Sequence, residues 1–113
     1  MHEYGITNEV VHRILHECED KDIKQPKKIL VELGELTSYK KESVLFYFEN
    51  FKKENEILRN ATLEIKMIKG RIKCNNCKKE SVVEPSPIYL CPSCESVDVE
   101  VLQGNSIDIL DIR

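Results

Sequence analysis

The chain has 113 residues, of which 41% are hydrophobic and 33% are charged, and its formal net charge is −3. This balance predicts a folded protein of one or two small domains, excludes a disordered chain, and disfavours non-specific nucleic-acid binding. The apolar runs are too short to cross a membrane, and the start carries His2 and Glu3 where a secretory signal would need apolar residues. We therefore expect a cytoplasmic protein.

The first predicted element is a helix from residue 4 to about residue 20. Its apolar residues recur at helical spacing and share one face; they are Ile6, Val10, Val11, Ile14, Leu15 and Cys18. His12 and His16 lie on the opposite face, one turn apart, and are interpreted either as two exposed polar residues or as a pair that clamps a metal. Cys18 is expected to be a small buried side chain.

Strand and helix patterns alternate through the next forty residues. The stretch "KKILVELGEL" predicts a strand closed by Gly34, and "KKESVLFYFENFKKENEIL" returns to helical period. The stretch "ATLEIKMI" predicts a second strand, which is ended by Gly70 and has three residues pointing inward, namely Leu63, Ile65 and Met67.

Apolar periodicity weakens between Arg71 and Gly104, where Cys, Asn, Pro and Ser accumulate, and "VDVEVL" and "SIDILDI" are late strand candidates. The order of elements predicts an α+β fold, with two helices packed on a three-stranded mixed β-sheet and an inserted zinc-ribbon-like module that carries four cysteines. The expected α+β domain spans 1–69 and is completed by a last strand in 105–113, and the expected zinc domain spans 70–104.

Four of the five cysteines form the pairs "CNNC" and "CPSC", which are separated by 13 residues. The odd cysteine count and the paired spacing favour metal ligation over disulfides, and four thiolates at Cys74, Cys77, Cys91 and Cys94 suit structural zinc. A redox dithiol is the weaker reading, and a single iron remains open because "CPSC" looks like a rubredoxin knuckle. Such a module could bind nucleic acid, bind a protein or only stabilise the fold. The basic residues near the first pair are interpreted as a solvated face.

The start "MHE" places three nitrogen donors within one short reach: the α-amine of Met1, and the amide and imidazole of His2. A planar nitrogen set suits Ni(II) or Cu(II), and its binding should weaken as the pH falls because the amide must lose its proton. The sequence shows no Ser/His/Asp set and no Gly-rich phosphate loop, so we expect a carrier and not an enzyme.

The stretches "MHE", "VELGEL", "GRIKCNNC" and "CPSCESVDVEVLQGNSIDILDI" resemble, in order and spacing, the HypA/HybF family of nickel metallochaperones for [NiFe]-hydrogenase maturation. The resemblance implies that the imidazole of His2 binds nickel together with backbone nitrogens of Met1 and His2, and that the four paired cysteines hold zinc. Glu3 stands beside this site, where it could donate its amide, support the ligands or contact the partner. The resemblance also implies delivery to the hydrogenase large subunit with the GTPase HypB, and in some bacteria service to urease maturation.

The chain departs from the family pattern in two ways. Glu95 stands directly after the second cysteine pair, where many members have a glycine that permits positive φ. No histidine adjoins either pair, which makes a pH-driven exchange of zinc ligands doubtful. The alternative to a nickel carrier is a zinc-ribbon module that binds nucleic acid or protein.

Overall fold

The computed structural model describes residues 2–113, with side chains from residue 3 onward. Within the described residues, two helices and six strands follow one another, with short 3-10 turns at Glu35–Thr37 and Glu56–Leu58. In chain order these elements are α1 (His2–Asp20), β1 (Lys28–Gly34), α2 (Lys41–Glu54), β2 (Thr62–Ile68), β3 (Gly70–Cys74), β4 (Glu80–Val83), β5 (Val99–Gln103) and β6 (Ile107–Ile112).

The first sheet has the strand order β2-β1-β6. Strands β1 and β6 are antiparallel, since Lys28 and Arg113 exchange backbone hydrogen bonds of 3.2 and 2.9 Å. Strands β1 and β2 run parallel, because the Thr62 N–H donates to the Lys27 carbonyl at 2.9 Å and so brings the starts of the two strands together. Helix α2 makes the crossover between them. The predicted mixed sheet of three strands with two helices is therefore confirmed.

The contacts divide the chain into two compact units. The first unit comprises the chain up to Glu32 together with Tyr39–Lys66 and Ile107–Arg113, and the second comprises Leu33–Ser38 and Met67–Ser106. The described helices do not combine the length and the apolar character that a membrane span requires.

The core of the first unit is formed where α1 packs against α2 and β6. Ile14 and Phe48 are completely buried, and Cys18 is buried as the sequence predicts. The other buried apolar residues of this unit are Val10, Val11, Ile29, Val31, Val44, Leu58, Ala61, Leu63, Ile65, Ile107 and Ile112. Burial of this apolar area is the main favourable term for the unit, since each fully buried aliphatic side chain contributes about 1.5–3 kcal/mol.

The second unit contains a smaller antiparallel sheet in the order β4-β3-β5. Its centre is β3, where Ile72 faces Ser81 of β4 and Val101 of β5, and a bulge on β5 interrupts the register next to Arg71. Ile72 is 1% exposed, whereas Val82 on β4 is 52% exposed. The sheet therefore buries little apolar area.

Three glycines of the second unit meet in a glycine junction formed by Gly34, Gly70 and Gly104. A Cβ atom on Gly34 would overlap the carbonyl group of Gly104, and one on Gly104 would lie 2.6 Å from the Cα of Gly70. Gly104 also has a φ of 94°, which L side chains rarely adopt. The Leu36 N–H donates to the Gly104 carbonyl at 2.8 Å and the Gly34 N–H donates to the Ser106 carbonyl at 2.9 Å. Only glycine permits this approach of backbone to backbone.

Two sequence expectations about β2 are wrong. Met67 does not point into a core but is 37% exposed, because the burial alternation of β2 stops after Ile65. Strand β2 stops at Ile68, so Gly70 does not end it. Gly70 is instead the first residue of β3. A Cβ at position 70 would overlap the end of the Leu36 side chain, which would have to move.

Candidate metal centre

The two Cys-x-x-Cys segments fold into knuckles that share one hydrogen-bond pattern. In the first, the Lys78 N–H donates to the Cys74 carbonyl at 2.9 Å, and the Cys74 N–H donates to the Lys79 carbonyl at 2.9 Å. In the second, the Glu95 N–H donates to the Cys91 carbonyl at 2.8 Å, and the Cys91 N–H donates in the same way to the carbonyl five residues later at 2.9 Å. Each knuckle thus closes a tight turn that holds its two sulfurs on the same side.

The residue directly after each knuckle has a left-handed backbone conformation. Lys78 has a φ of 67° and Glu95 a φ of 62°. Glycine would be favoured at position 95, yet the turn forms, and the glutamate adopts the positive φ itself. The same conformation at Lys78 is not indicated by the sequence. A side chain in this region costs about 1–2 kcal/mol, so both knuckles store backbone strain.

Replacing Glu95→Gly should relieve that strain. We expect the free energy of unfolding of the metal-loaded second unit to rise by about 0.5–1 kcal/mol, which is less than the full relief because glycine also gains freedom in the unfolded chain. Urea denaturation monitored by NMR of residues 67–106 measures the change. Glu84→Gly is the matched control, since Glu84 is not among the described residues with positive φ, and this variant should lose stability. Equal effects at both positions would contradict the strain argument.

The knuckles bring all four paired cysteines together. Their sulfurs lie within 4.8 Å of one another, with 3.6 Å between Cys74 and Cys94 and 3.5 Å between Cys77 and Cys91. A zinc–sulfur bond of about 2.3 Å gives a tetrahedral edge of roughly 3.8 Å, so the donors fit a tetrahedral Zn²⁺ with little movement. Such a site is closed, because the four sulfurs fill every coordination position.

Nearby donors stabilise three of the thiolates. The backbone amide of Cys77 lowers the pKa of Cys74, and the backbone amide of Cys94 lowers the pKa of Cys91. The side-chain amide of Asn76, whose nitrogen lies 3.6 Å from the sulfur of Cys94, lowers the pKa of that thiol. These donors favour the charged form that binds metal.

The pKa of Cys77 shifts in the opposite direction. The backbone amide of Lys79 lowers the pKa of Cys77, but desolvation and the three neighbouring cysteines together raise it to about 11. Because its neighbours favour the neutral thiol, Cys77 is the member of the cluster that holds its proton most firmly. Metal binding must displace that proton, which makes the affinity fall as the pH falls.

The second knuckle is the more accessible one. Cys74 and Cys91, the first cysteines of their pairs, are each 1% exposed, whereas Cys94 is exposed. The first knuckle is tied to the segment before β5 by two hydrogen bonds between Asn75 and Asp98, one backbone bond of 2.9 Å and one side-chain bond of 3.0 Å. The spacing of the cysteines gives no indication of these bonds.

The predicted nickel donors fall at the start of α1. Met1 and the side chain of His2 lie outside the described residues. Glu3 is described, and its carboxylate accepts a hydrogen bond of 3.1 Å from the Lys40 N–H, which lowers the pKa of Glu3. Lys40 is the N-cap of α2 and has no side-chain cap, so Glu3 supplies from α1 the acceptor that a capping box provides locally.

Tyr4 packs beside this first turn. Its ring lies 5.4 Å from the rings of both Tyr47 and Phe51, and its side chain remains 51% exposed. The aromatic contacts hold the first turn of α1 against α2.

Two basic residues in the sheet of the second unit face acidic residues. Arg71 forms a 3.0 Å ion pair with Glu80, and Lys73 faces Glu80 and Glu100 in the register of the sheet. A nucleic-acid-binding ribbon would present its cations unpaired to phosphates. The arrangement agrees with the interpretation of this face as solvated.

A small α+β fold whose four paired cysteines converge in one cluster defines a class of proteins that can hold a metal ion at that cluster. The family model described as "Hydrogenase/urease nickel incorporation, metallochaperone, hypA" matches residues 1–113. The chain belongs to the HypA family.

Individual relatives match over nearly their whole length. The hydrogenase maturation factor HypA of Moorella thermoacetica is 36% identical over 110 residues, covering 96% of this chain and 95% of that protein. The HypA of Trichodesmium erythraeum is 32% identical over 113 residues, covering 100% of this chain and 95% of that protein. The solution structure of the nickel metallochaperone HypA from Helicobacter pylori has a TM-score of 0.74 at 24% identity and covers 97% of this chain and 94% of that one. The family resemblance predicted from the sequence is confirmed.

Proposed function

We propose that this chain binds Ni(II) at its N-terminus and delivers it to the large subunit of [NiFe]-hydrogenase. The observation that carries the proposal is the match of the nickel-incorporation family model to residues 1–113, which include the "MHE" start. The donors are the α-amine of Met1 and the amide and imidazole of His2, with the amide of Glu3 as a further candidate.

The start of a helix suits this chemistry. The first four N–H groups of an α-helix have no partner within the helix, so the amides of His2 and Glu3 can lose a proton to a metal without breaking an α-helical hydrogen bond. The positive end of the helix dipole opposes a divalent cation, but the negative charge of a deprotonated amide offsets it. Planar nitrogen donors then favour Ni(II) over Zn(II).

We assign Glu3 a positioning role for its side chain. Its bond to the Lys40 N–H links the first turn of α1 to the start of α2. The carboxylate therefore fixes the backbone that carries the nickel donors, and no nickel ligation by its oxygens is needed.

The four cysteines are proposed to hold structural Zn²⁺. The sulfur spacing and the donors that favour thiolates both suit it. In this scheme residues 1–69 with 105–113 form the nickel domain and residues 70–104 the zinc domain.

Delivery requires that the ion can leave. A site formed by the first residues of a chain lets a partner replace the ligands one at a time, whereas a closed four-thiolate site retains its metal. We propose that a GTPase of the HypB type acts with the chain, that the hydrogenase large subunit accepts the nickel, and that urease maturation proteins are further partners in some bacteria.

Nickel titration of the zinc-loaded protein tests the N-terminal site. We expect that His2→Ala, or one residue added before Met1, removes the tightest Ni(II) site, because either change destroys the adjacent chelate rings. Isothermal titration calorimetry measures the binding, and X-ray absorption reports the donors. The matched control is Glu3→Gln, which retains the hydrogen-bond acceptor and the backbone amide and should retain the site. Unchanged tight binding in both altered chains would overturn the proposal.

A further inference from the structure

We propose that α1 carries a second site for a divalent transition-metal ion, formed by the imidazoles of His12 and His16. The site is separate from the proposed N-terminal one. His12 is ten residues from His2 in the same helix, which corresponds to about 15 Å along its axis.

The two histidines face one cleft. They are exposed, stand one helical turn apart, and line a cleft of about 530 Å³ between α1 and β6, within the first unit. Side chains at this spacing have Cβ atoms about 5–6 Å apart, a separation that one metal ion can bridge. Neither imidazole ring belongs to the buried core of the first unit.

The tautomer of His12 is set by the helix backbone. Its Nδ1 atom lies 2.9 Å from the carbonyl oxygen of Asn8, and a carbonyl can only accept a hydrogen bond. Nδ1 therefore carries the proton, and the neutral ring keeps its lone pair on Nε2. Metal-binding histidines are commonly oriented in this way, with the second ring nitrogen donating to a backbone carbonyl.

His16 is held only weakly. Its Nε2 atom lies 3.5 Å from the carboxylate of Asp20, and both side chains are largely exposed. Such exposed pairs contribute little to stability, so the ring can turn toward His12 at small cost.

The charges of the cleft favour a cation. The carboxylates of Glu9, Glu17 and Asp108 line it, and the lining cation, Arg13, donates to the Ile107 carbonyl at 3.3 Å. Three carboxylates and one guanidinium leave a net negative charge that attracts divalent ions. Neutral imidazoles suit Ni(II), Cu(II) and Zn(II), and the unfilled positions of the ion would be occupied by water. Two single-donor ligands bind more weakly than the N-terminal chelate, so this second ion exchanges readily.

Ni(II) titration of the full zinc-loaded chain, without an affinity tag, tests the site. We expect two Ni(II) per chain for the wild type, one for His2→Ala, one for the double variant H12A/H16A, and none when all three histidines are replaced. In His2→Ala, paramagnetic Ni(II) should broaden the amide signals of residues 9–20. Glu54→Ala, an exposed change on α2, is the control and should leave both ions bound.

This experiment can contradict either of the two nickel proposals without contradicting the other. If H12A/H16A still binds two ions, or if Ni(II) broadens no signal of residues 9–20 in His2→Ala, the helix site is overturned. If His2→Ala retains two ions, the N-terminal assignment fails instead, and loss of one of them in the triple variant would still support the helix site.

Discussion

A chain carrying Cys74→Ser is expected to lose the zinc proposed for the four-cysteine cluster and, with it, the ordered structure of the second unit. The serine hydroxyl does not become a charged ligand at neutral pH, so three thiolates remain where four close the tetrahedron. Apart from the paired cysteines, the buried apolar residues of this unit include little besides Leu33 and Ile72. Zinc binding to such small modules contributes about 10–16 kcal/mol, which the sheet alone cannot replace.

The first unit should remain folded in this variant, because its core is formed by α1, α2 and the strands beside them. Zinc content is measured by mass spectrometry, and amide NMR separates the two units. Cys18→Ala is the matched control: this buried cysteine lies outside the cluster, and its loss should cost about 1 kcal/mol and no zinc. Full zinc loading of Cys74→Ser, or joint unfolding of both units, would contradict the expectation.

The second large effect is expected at the glycine junction. Gly34→Ala should lower the free energy of unfolding by about 3 kcal/mol, the upper part of the usual range for overpacking. The added Cβ would overlap the Gly104 carbonyl, and backbone cannot move aside as a flexible side chain can. Two hydrogen bonds, from the Gly34 and Leu36 N–H groups, would be strained by any shift.

Urea denaturation compares this variant with Gly5→Ala. Gly5 lies in α1, and a Cβ there would meet nothing within 4 Å. The same chemical change should therefore raise stability, by up to about 1 kcal/mol, because alanine is the better helix former. The opposite signs separate the steric effect from the general effect of removing a glycine. If both variants shifted in the same direction, the junction would not be the tight contact described above.

Much of the fold could be read from the sequence because its cues are local. The helical period of α1 and α2 and the alternation of β1 reflect burial on one side, and the structure has these elements. The Cys-x-x-Cys spacing predicted that the four sulfurs would lie close together. Each knuckle fixes two of them, and one reversal of the chain is enough to bring the two knuckles together. Their role as zinc ligands and that of His2 in nickel binding stay predictions.

The features that the sequence did not predict depend on contacts between distant parts of the chain. Gly34 and Gly104 are seventy positions apart, so the sequence shows two ordinary turn residues where the fold has one junction. Met67 continues the alternation of β2 in the sequence, but burial stops before it. The cross-element cap from Glu3 to Lys40 could not be foreseen, because a glutamate in a first helical turn already has a local explanation in the helix dipole.

The glycine junction has a consequence for the segment that carries the four paired cysteines. Gly70 and Gly104 stand near the two ends of Met67–Ser106 and almost touch, so the segment leaves and re-enters at neighbouring points. A linker of very few residues could bridge that gap. The segment is therefore suited to transfer as one unit. After its removal the two ends of the remaining chain could be joined over a short distance, and the segment could be inserted into a loop of another protein or exchanged between relatives.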